Sequence, residues 1–303
     1  MNGNTRIGFI GLGAMGEPMA SRLVAAGFSV VVHDADSGRT DRIAQAIGAR
    51  AAASPAEAAA GCAILVTMLP SSAVVEAVLD GDTGARAGLS RGALVVDMTS
   101  GVPEATRSIA VRLQADGIAM IDAPVSGGVS RARTGELAIM AGGDATDIDR
   151  AQPVLEAMGS SVIRTGSIGS AHAMKALNNL VSAGGFLIGI EALLIGQRFG
   201  LDPALMVDVL NVSTGMNNST QKKFKQFVLS RRFDAGFGLD LMVKDLGIAL
   251  GVASATGTPA PFSGLCKDIW AGAQKHLGPG QDHTAVAKFS ELFAGSTLGG
   301  DED

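Results

Sequence analysis

The sequence predicts an α/β protein in two parts, a doubly wound parallel sheet followed by an all-α region. Three observations carry that expectation. Over the first half, short apolar runs rich in β-branched residues alternate with helical segments, the pattern of parallel strands joined by right-handed crossovers. After about residue 166 the strand signal stops and only helical patterns continue. Between the first strand and the first helix lies a glycine-rich turn, Gly11-Leu12-Gly13-Ala14-Met15-Gly16.

Taken in order, the candidate strands are 6–11, 29–34, 63–69, 93–98, 118–123, 137–142 and 161–166. Ser54-Pro55-Ala56-Glu57 reads as a capping box with proline at the first helical position. The second part opens with residues 170–199, apolar on nearly every side and so expected to be buried all round. A helix with Asp202 as N-cap and Pro203 at its first position follows, to about Val212. Further helical segments fall near 215–230, 238–257, 261–276 and 282–295. The small, acidic tail GSTLGGDED is expected to fray. The border lies near Gly166 to Ser170, giving a dinucleotide-type domain over 1–166 and a helical domain over 167–303. One small helical domain can hardly cover a helix this apolar and this long, so a homodimer or homotetramer is expected.

Composition excludes several classes. With 303 residues, 47% of them hydrophobic, the chain can build two domains with a substantial core. A net charge of −5 leaves no basic footprint for nucleic acid. Lys175, Glu191 and Arg198 punctuate the longest apolar run, which argues against a membrane span. The amino terminus enters a strand at once, with no room for a signal peptide, so a cytoplasmic protein is expected. Cys62 and Cys266 stand far apart without His or Cys neighbours. They are expected to be small buried hydrophobes, with no disulfide and no metal site.

The segment RIGFIGLGAMGEPMASRL sets Gly11, Gly13 and Gly16 between a strand and a helix, the context that gives this spacing meaning. Gly11 permits the tight turn, Gly13 lets backbone approach a pyrophosphate, and Gly16 lets helix pack on strand. Leu12, Ala14 and Met15 complete the loop, and the helix start offers N–H groups to the anion. This predicts a Rossmann-type domain. Asp34 ends the second strand roughly 20 residues on, where a carboxylate holds the adenosine ribose hydroxyls and repels a 2′-phosphate. NAD is therefore the expected cofactor. Arg39 and Arg42 follow closely, so NADP remains the alternative. Ligands sit outside the carboxyl ends of such strands, which draws attention to Met68-Leu69-Pro70 and to Thr99-Ser100.

Ser126, Gly127 and Gly128 follow another apolar strand. A hydroxyl and two successive flexible N–H groups suit a substrate carboxylate; an ordinary glycine-rich turn is the blander alternative. On the apolar helix, Lys175 and Asn179 are one turn apart and share a face, with Asn178 adjacent. If that face meets the cofactor crevice, partial desolvation lowers the lysine pKa and fits it to exchange a proton with a substrate hydroxyl. A lysine snorkelling to solvent is the alternative. His172, one turn before Lys175, reads as a surface histidine, with a place lining the cleft as the alternative, and His33, His276 and His283 show no partner pattern. Lys244 and Asp245 read as a solvated pair. Asn217-Asn218-Ser219 matches a glycosylation signal that has no meaning in a cytosolic chain.

In order and spacing, GFIGLGAMGEPMA, TMLP, DMTS, DAPVSGG, GSAHAMKALNN and LMVKDLGIAL resemble the β-hydroxyacid dehydrogenase family, over nearly the whole chain. The resemblance implies Lys175 as catalytic lysine and Ser126, Gly127 and Gly128 as carboxylate cradle, assisted by Asn179. It implies Lys244 as a lysine closing over the cofactor, supported by Asp245, and it sets Leu69 and Ser100 near the nicotinamide. Phe237 is a candidate for the far wall of the substrate. Ala171, His172 and Ser100 depart from the residues common in the family at those positions: Gly, Gln and Thr. The implied activity is NAD-dependent interconversion of a short β-hydroxy acid and its semialdehyde, as in 3-hydroxyisobutyrate dehydrogenases. The alternative is an NADPH-dependent tartronate semialdehyde (2-hydroxy-3-oxopropionate) reductase. Imine reduction and a non-catalytic scaffold are the more remote readings, since chains of those kinds are expected to lose the lysine or the cradle.

Overall fold

A computed structural model describes residues 5–299. The chain divides into two compact units, one ending at Lys175 and the other beginning at Ala176, inside the helix Ser170–Phe199.

The first unit is built on a nine-stranded sheet. Its strands are β1 Arg6–Ile10, β2 Ser29–His33, β3 Arg50–Ala51, β4 Ile64–Thr67, β5 Leu94–Asp97, β6 Ala119–Asp122, β7 Val125–Ser126, β8 Leu137–Gly142 and β9 Gly159–Gly166. The order is β3-β2-β1-β4-β5-β6-β8-β7, with β9 also paired to β8. From β3 to β6 every pairing is parallel, the doubly wound arrangement in which the chain reverses direction at β1 and β4. Side chains alternate between two apolar layers, with Ile7 and Phe9 in one and Ile10 and Leu65 in the other.

The expectation of parallel strands throughout fails beyond β6. β8 runs antiparallel to both β6 and β7. The segment after β6 spends its length on β7 and the two-turn helix Gly128–Thr134. That is too little for a helical crossover, so the chain reverses directly. β9 follows the helix Ala145–Met158 and pairs parallel to β8, so it keeps the reversed direction. β3 and β7, two residues each, are too short to leave a periodic signal.

Local chemistry sets the helix starts. Ser54 Oγ accepts the Glu57 N–H with Pro55 at the first position. Glu57 returns its carboxylate to Ala53 N–H rather than to Ser54, one residue earlier than a capping box requires.

The second unit is helical. Its core joins Ala183, Phe186, Ile190 and Leu193 of the long helix Ser170–Phe199 to Phe224, Leu246 and Trp270. Phe186 meets Phe224 and Trp270 edge-on, at 5.3 and 6.0 Å. The long helix is not buried all round. Met174, Val181, Ile188 and Ile195, seven residues apart, are exposed, Val181 by 76% and Ile195 by 70%. By length and composition alone this helix could cross a membrane, yet 56% of its most apolar window is buried inside the protein, the behaviour of a core helix.

The segment near 215–230 is a short helix, Asn218–Lys222, followed by one stretch of π-helix, Phe224–Leu229. Fraying of the tail does not hold as far as residue 299. Leu298 is fully buried and its N–H donates to Glu291 Oε1, while Gly299 N–H donates to Gln197 Oε1. Residues 300–303, and the first four residues of the chain, lie outside the described residues.

Candidate active site

In the first unit, five strands end in register: His33, Ile10, Thr67, Asp97 and Asp122 form a row across β2, β1, β4, β5 and β6. The carboxyl edge of the sheet is thus polar at most positions, and the loops leaving it carry most of the expected site.

The glycine loop leaves β1. Gly11 has φ +100° and donates its N–H to His33 O. A Cβ there would lie 2.2 Å from Met68 O, and one at Gly16 would lie 1.8 Å from Gly11 O. Both positions therefore require glycine for backbone-to-backbone contact. Around Gly13 a Cβ would meet nothing within 4 Å. That open approach, beside a helix start that no side chain caps at Met15, fits the pyrophosphate of a dinucleotide. Leu12 is buried and donates its N–H to Asp34 Oδ2 at 2.7 Å; Ala14 is exposed.

Asp34 also accepts the Asp36 N–H and the Arg39 guanidinium, at 3.0 and 3.2 Å. Burial alone would raise its pKa. The Asp36 and Leu12 N–H groups and Arg39 outweigh that and hold the carboxyl below its usual value. Arg39 is thereby committed to Asp34 and Asp36, and Arg42 is exposed.

The two loops singled out beyond β4 and β5 are tied together. Leu69 N–H donates to Thr99 Oγ1 at 3.1 Å. Thr99 N–H and Thr67 Oγ1 both donate to Asp97 Oδ1. Asp97 is buried and ties Thr67 and Thr99 to one carboxylate, and Leu69 through Thr99; Met68 and Ser100 are half-buried beside them in sequence, and Pro70 is exposed. In the third loop, Gly127 and Gly128 have φ of +135° and +69° beside a half-buried Ser126. This backbone turn is open only to glycine.

Lys175 is 8% exposed on the long helix. Asp122, at the end of β6, fixes the start of that helix. Its two oxygens accept the Gly169 and His172 N–H groups at 2.7 and 2.8 Å. Burial raises the Asp122 pKa, outweighing the nearby His172 and the two N–H donors.

His172 is not a surface residue, as expected from sequence, but 1% exposed. Its Nδ1 lies 2.8 Å from Thr106 Oγ1 and its Nε2 3.9 Å from Asp97 Oδ2. The ring packs against Gly101, where a Cβ would come within 2.8 Å of it.

In the second unit Asn179, 7% exposed, donates Nδ2 to Asp245 Oδ2 at 2.6 Å and accepts Asn178 Nδ2 at 3.2 Å. Lys244 Nζ lies 3.5 Å from Asp245 Oδ1. The expectation of a solvated Lys244–Asp245 pair is corrected here, because Asp245 is 1% exposed. Phe237 is half-buried, packs edge-on against His283 at 5.7 Å and donates its N–H to Asp282. Both cysteines are buried and free, and burial pushes each thiol up to about 11.

Asp97, Asp122, Thr99 and His172 escaped the sequence reading as organising residues. A signal existed for two of them, since an aspartate closes each of the apolar runs ALVVD and AMID.

Residues 6–166 match the family described as the NAD binding domain of 6-phosphogluconate dehydrogenase. Residues 169–290 match the NAD-binding domain of NADP-dependent 3-hydroxyisobutyrate dehydrogenase. The chain is 35% identical over 301 residues to 2-(hydroxymethyl)glutarate dehydrogenase of Eubacterium barkeri, covering 99% of each. The chain belongs to the β-hydroxyacid dehydrogenase family.

Other β-hydroxyacid dehydrogenases agree. The mitochondrial 3-hydroxyisobutyrate dehydrogenase of Mus musculus is 36% identical over 89% of this chain and 82% of its own. The solved 3-hydroxyisobutyrate dehydrogenase of Mycobacterium tuberculosis, with L-serine, superposes with a TM-score of 0.88. It shares 32% identity over 95% of this chain and 99% of that one. This β-hydroxyacid dehydrogenase is accordingly an oxidoreductase that acts on CH–OH groups with NAD, NADP remaining the alternative.

Proposed function

We propose that the protein interconverts a short β-hydroxy acid and its semialdehyde, with Lys175 as general acid and base. The observation that carries this is a lysine only 8% exposed on an apolar helix whose first turn is clamped by Asp122. A buried ammonium is tolerated where it is paired and hydrogen-bonded, and this one stands one turn before Asn179 on the same helix face. Hydride exchange at the carbinol carbon is the chemistry a bound nicotinamide supplies. Lys175 Nζ accepts the hydroxyl proton in oxidation and returns it to the carbonyl oxygen in reduction. Ser126 and the N–H groups of Gly127 and Gly128 hold the carboxylate. Asn179, fixed by Asp245, orients the reacting end, Phe237 lines the far wall, and Lys244 approaches the cofactor.

Asp34 favours NAD, because its carboxylate faces the ribose position with Arg39 already bound to it. 3-Hydroxyisobutyrate is the first substrate to test, since relatives named for it are 35–36% identical to this chain. We further propose a homodimer or homotetramer that covers the exposed heptad stripe Met174, Val181, Ile188 and Ile195. A cytoplasmic location is supported by two buried, unpaired thiols.

The test is turnover of a panel of short 3-hydroxy acids with NAD⁺, wild type beside Lys175→Ala. A loss of about 10²–10⁴-fold in kcat is expected for a missing general base, with NAD⁺ binding retained. Unchanged turnover in the variant would remove Lys175 from the chemistry.

A further inference from the structure

Lys223 is a half-buried lysine that the reaction outlined above does not use. It follows the short helix Asn218–Lys222 and precedes the π-helical stretch. Two features pin it to the long helix. Upstream, Asn217 closes a capping box with Thr220 and donates Nδ2 to Gly185 O. Downstream, the buried ring of Phe224 lies against Gly189, where a Cβ would fall 2.5 Å from the ring. An isolated π-helical turn departs from regular helical hydrogen bonding and is frequent at functional sites.

So held, Lys223 Nζ donates to Ser182 Oγ at 3.3 Å. Ser182 stands three residues after Asn179 and seven after Lys175, so the three share one helix face. Among the described residues Lys223 has no carboxylate within 4.0 Å. The charge that acts on it is that of Asp282, whose oxygens are taken by the N–H groups of Gly236, Phe237 and Thr284 and by the Thr284 hydroxyl. Asp282 thus holds the Phe237 N–H and acts on Lys223 through its charge, without forming an ion pair with the ammonium. Burial pushes the Lys223 pKa down to about 8, the Asp282 charge offsetting only part of it. An ammonium with one neutral partner and two unused protons is a receptor for an anion.

We propose that Lys223 determines specificity by binding a second anionic group, a carboxylate or sulfonate, at the end of the substrate remote from the reacting carbon. The favoured substrates are then hydroxy acids with two anionic groups. This rests on the dehydrogenase reading above.

The test compares a 2-hydroxymethyl dicarboxylate with a 2-hydroxymethyl monocarboxylate of equal chain length, on wild type, Lys223→Met and Lys223→Arg. Wild type should favour the dicarboxylate. Lys223→Met should lose about 10- to 100-fold in kcat/KM for it, through KM with kcat kept, and leave the monocarboxylate unchanged. Lys223→Arg should restore most of the preference. Equal losses on both acids, or no preference in wild type, would overturn the assignment. Calorimetric binding of glutarate, which carries no hydroxyl, separates the two readings. Glutarate binding lost in Lys223→Met but without turnover of any acid would keep Lys223 and sink the dehydrogenase reading. Turnover without Lys223-dependent discrimination would do the reverse, and loss of both would overturn both.

Discussion

Asp34 holds three donors, and one of them is the Arg39 guanidinium, the group a 2′-phosphate would need. Replacing Asp34 with serine removes the proposed ribose acceptor and leaves Arg39 with only the exposed Asp36. For Asp34→Ser we expect kcat/KM with NAD⁺ to fall about 10- to 100-fold, the worth of a charged hydrogen bond, while the ratio of NADP⁺ to NAD⁺ activity rises. Steady-state kinetics with both cofactors would show it, and a parallel fall for the two would mean that Asp34 only braces the loop. At this scale the glycines, Asp34, the Ser126 loop and Lys175 were legible, because each belongs to a short contiguous motif. The burial of His172, Asp245 and Lys223 was not. Their partners stand far away in sequence, with Thr106 and Asp245 each 66 residues from the residue they bond. Burial made by such contacts leaves no trace in a local pattern.

Among elements, the starts of helices and the apolar strands of the parallel sheet followed from sequence, since caps and periodicity are local. The antiparallel return of β8 and the π-helical turn did not, because both are set by what surrounds them. Asp282 shows how one side chain can join elements. It caps the 3₁₀ turn His283–Ala285 and latches Gly236 and Phe237 onto it. Burial raises its pKa, but hydrogen bonds from His283 and Thr284 prevail and leave it well below the usual carboxylate value. A depressed pKa favours the fold fully above the ordinary carboxylate range, and that stability is lost as the pH falls through it. Thermal unfolding from pH 7 to pH 3 should therefore be steeper in wild type than in Asp282→Asn, whose melting temperature starts lower. Parallel pH profiles would show that the latch does not depend on charge.

For the whole molecule, the order of motifs along the chain identified the family, yet the covering of the long helix could not be read from composition alone. The sequence is apolar all round, whereas the helix presents one side to its own unit and a stripe at seven-residue spacing to the surface. Contiguous apolar patches of this kind mark association. Ile188→Glu, in the middle of the stripe, should lower the mass seen by light scattering to that of one 30.6 kDa chain, with the circular dichroism kept. An unchanged oligomer, or a wild type that is already monomeric, would point to another role for the stripe.

The clamp from Asp122 onto Gly169 and His172 also bears on how such enzymes can be recombined. Residue 166 is the natural place to splice by sequence, yet a chimera joined there would set one parent's lysine turn against another parent's β6. A junction after Lys175 inherits the aspartate, the two amides it holds and the lysine from a single parent. On the function proposed above, exchanging the remaining helices would then change what the enzyme accepts while leaving its proton chemistry intact.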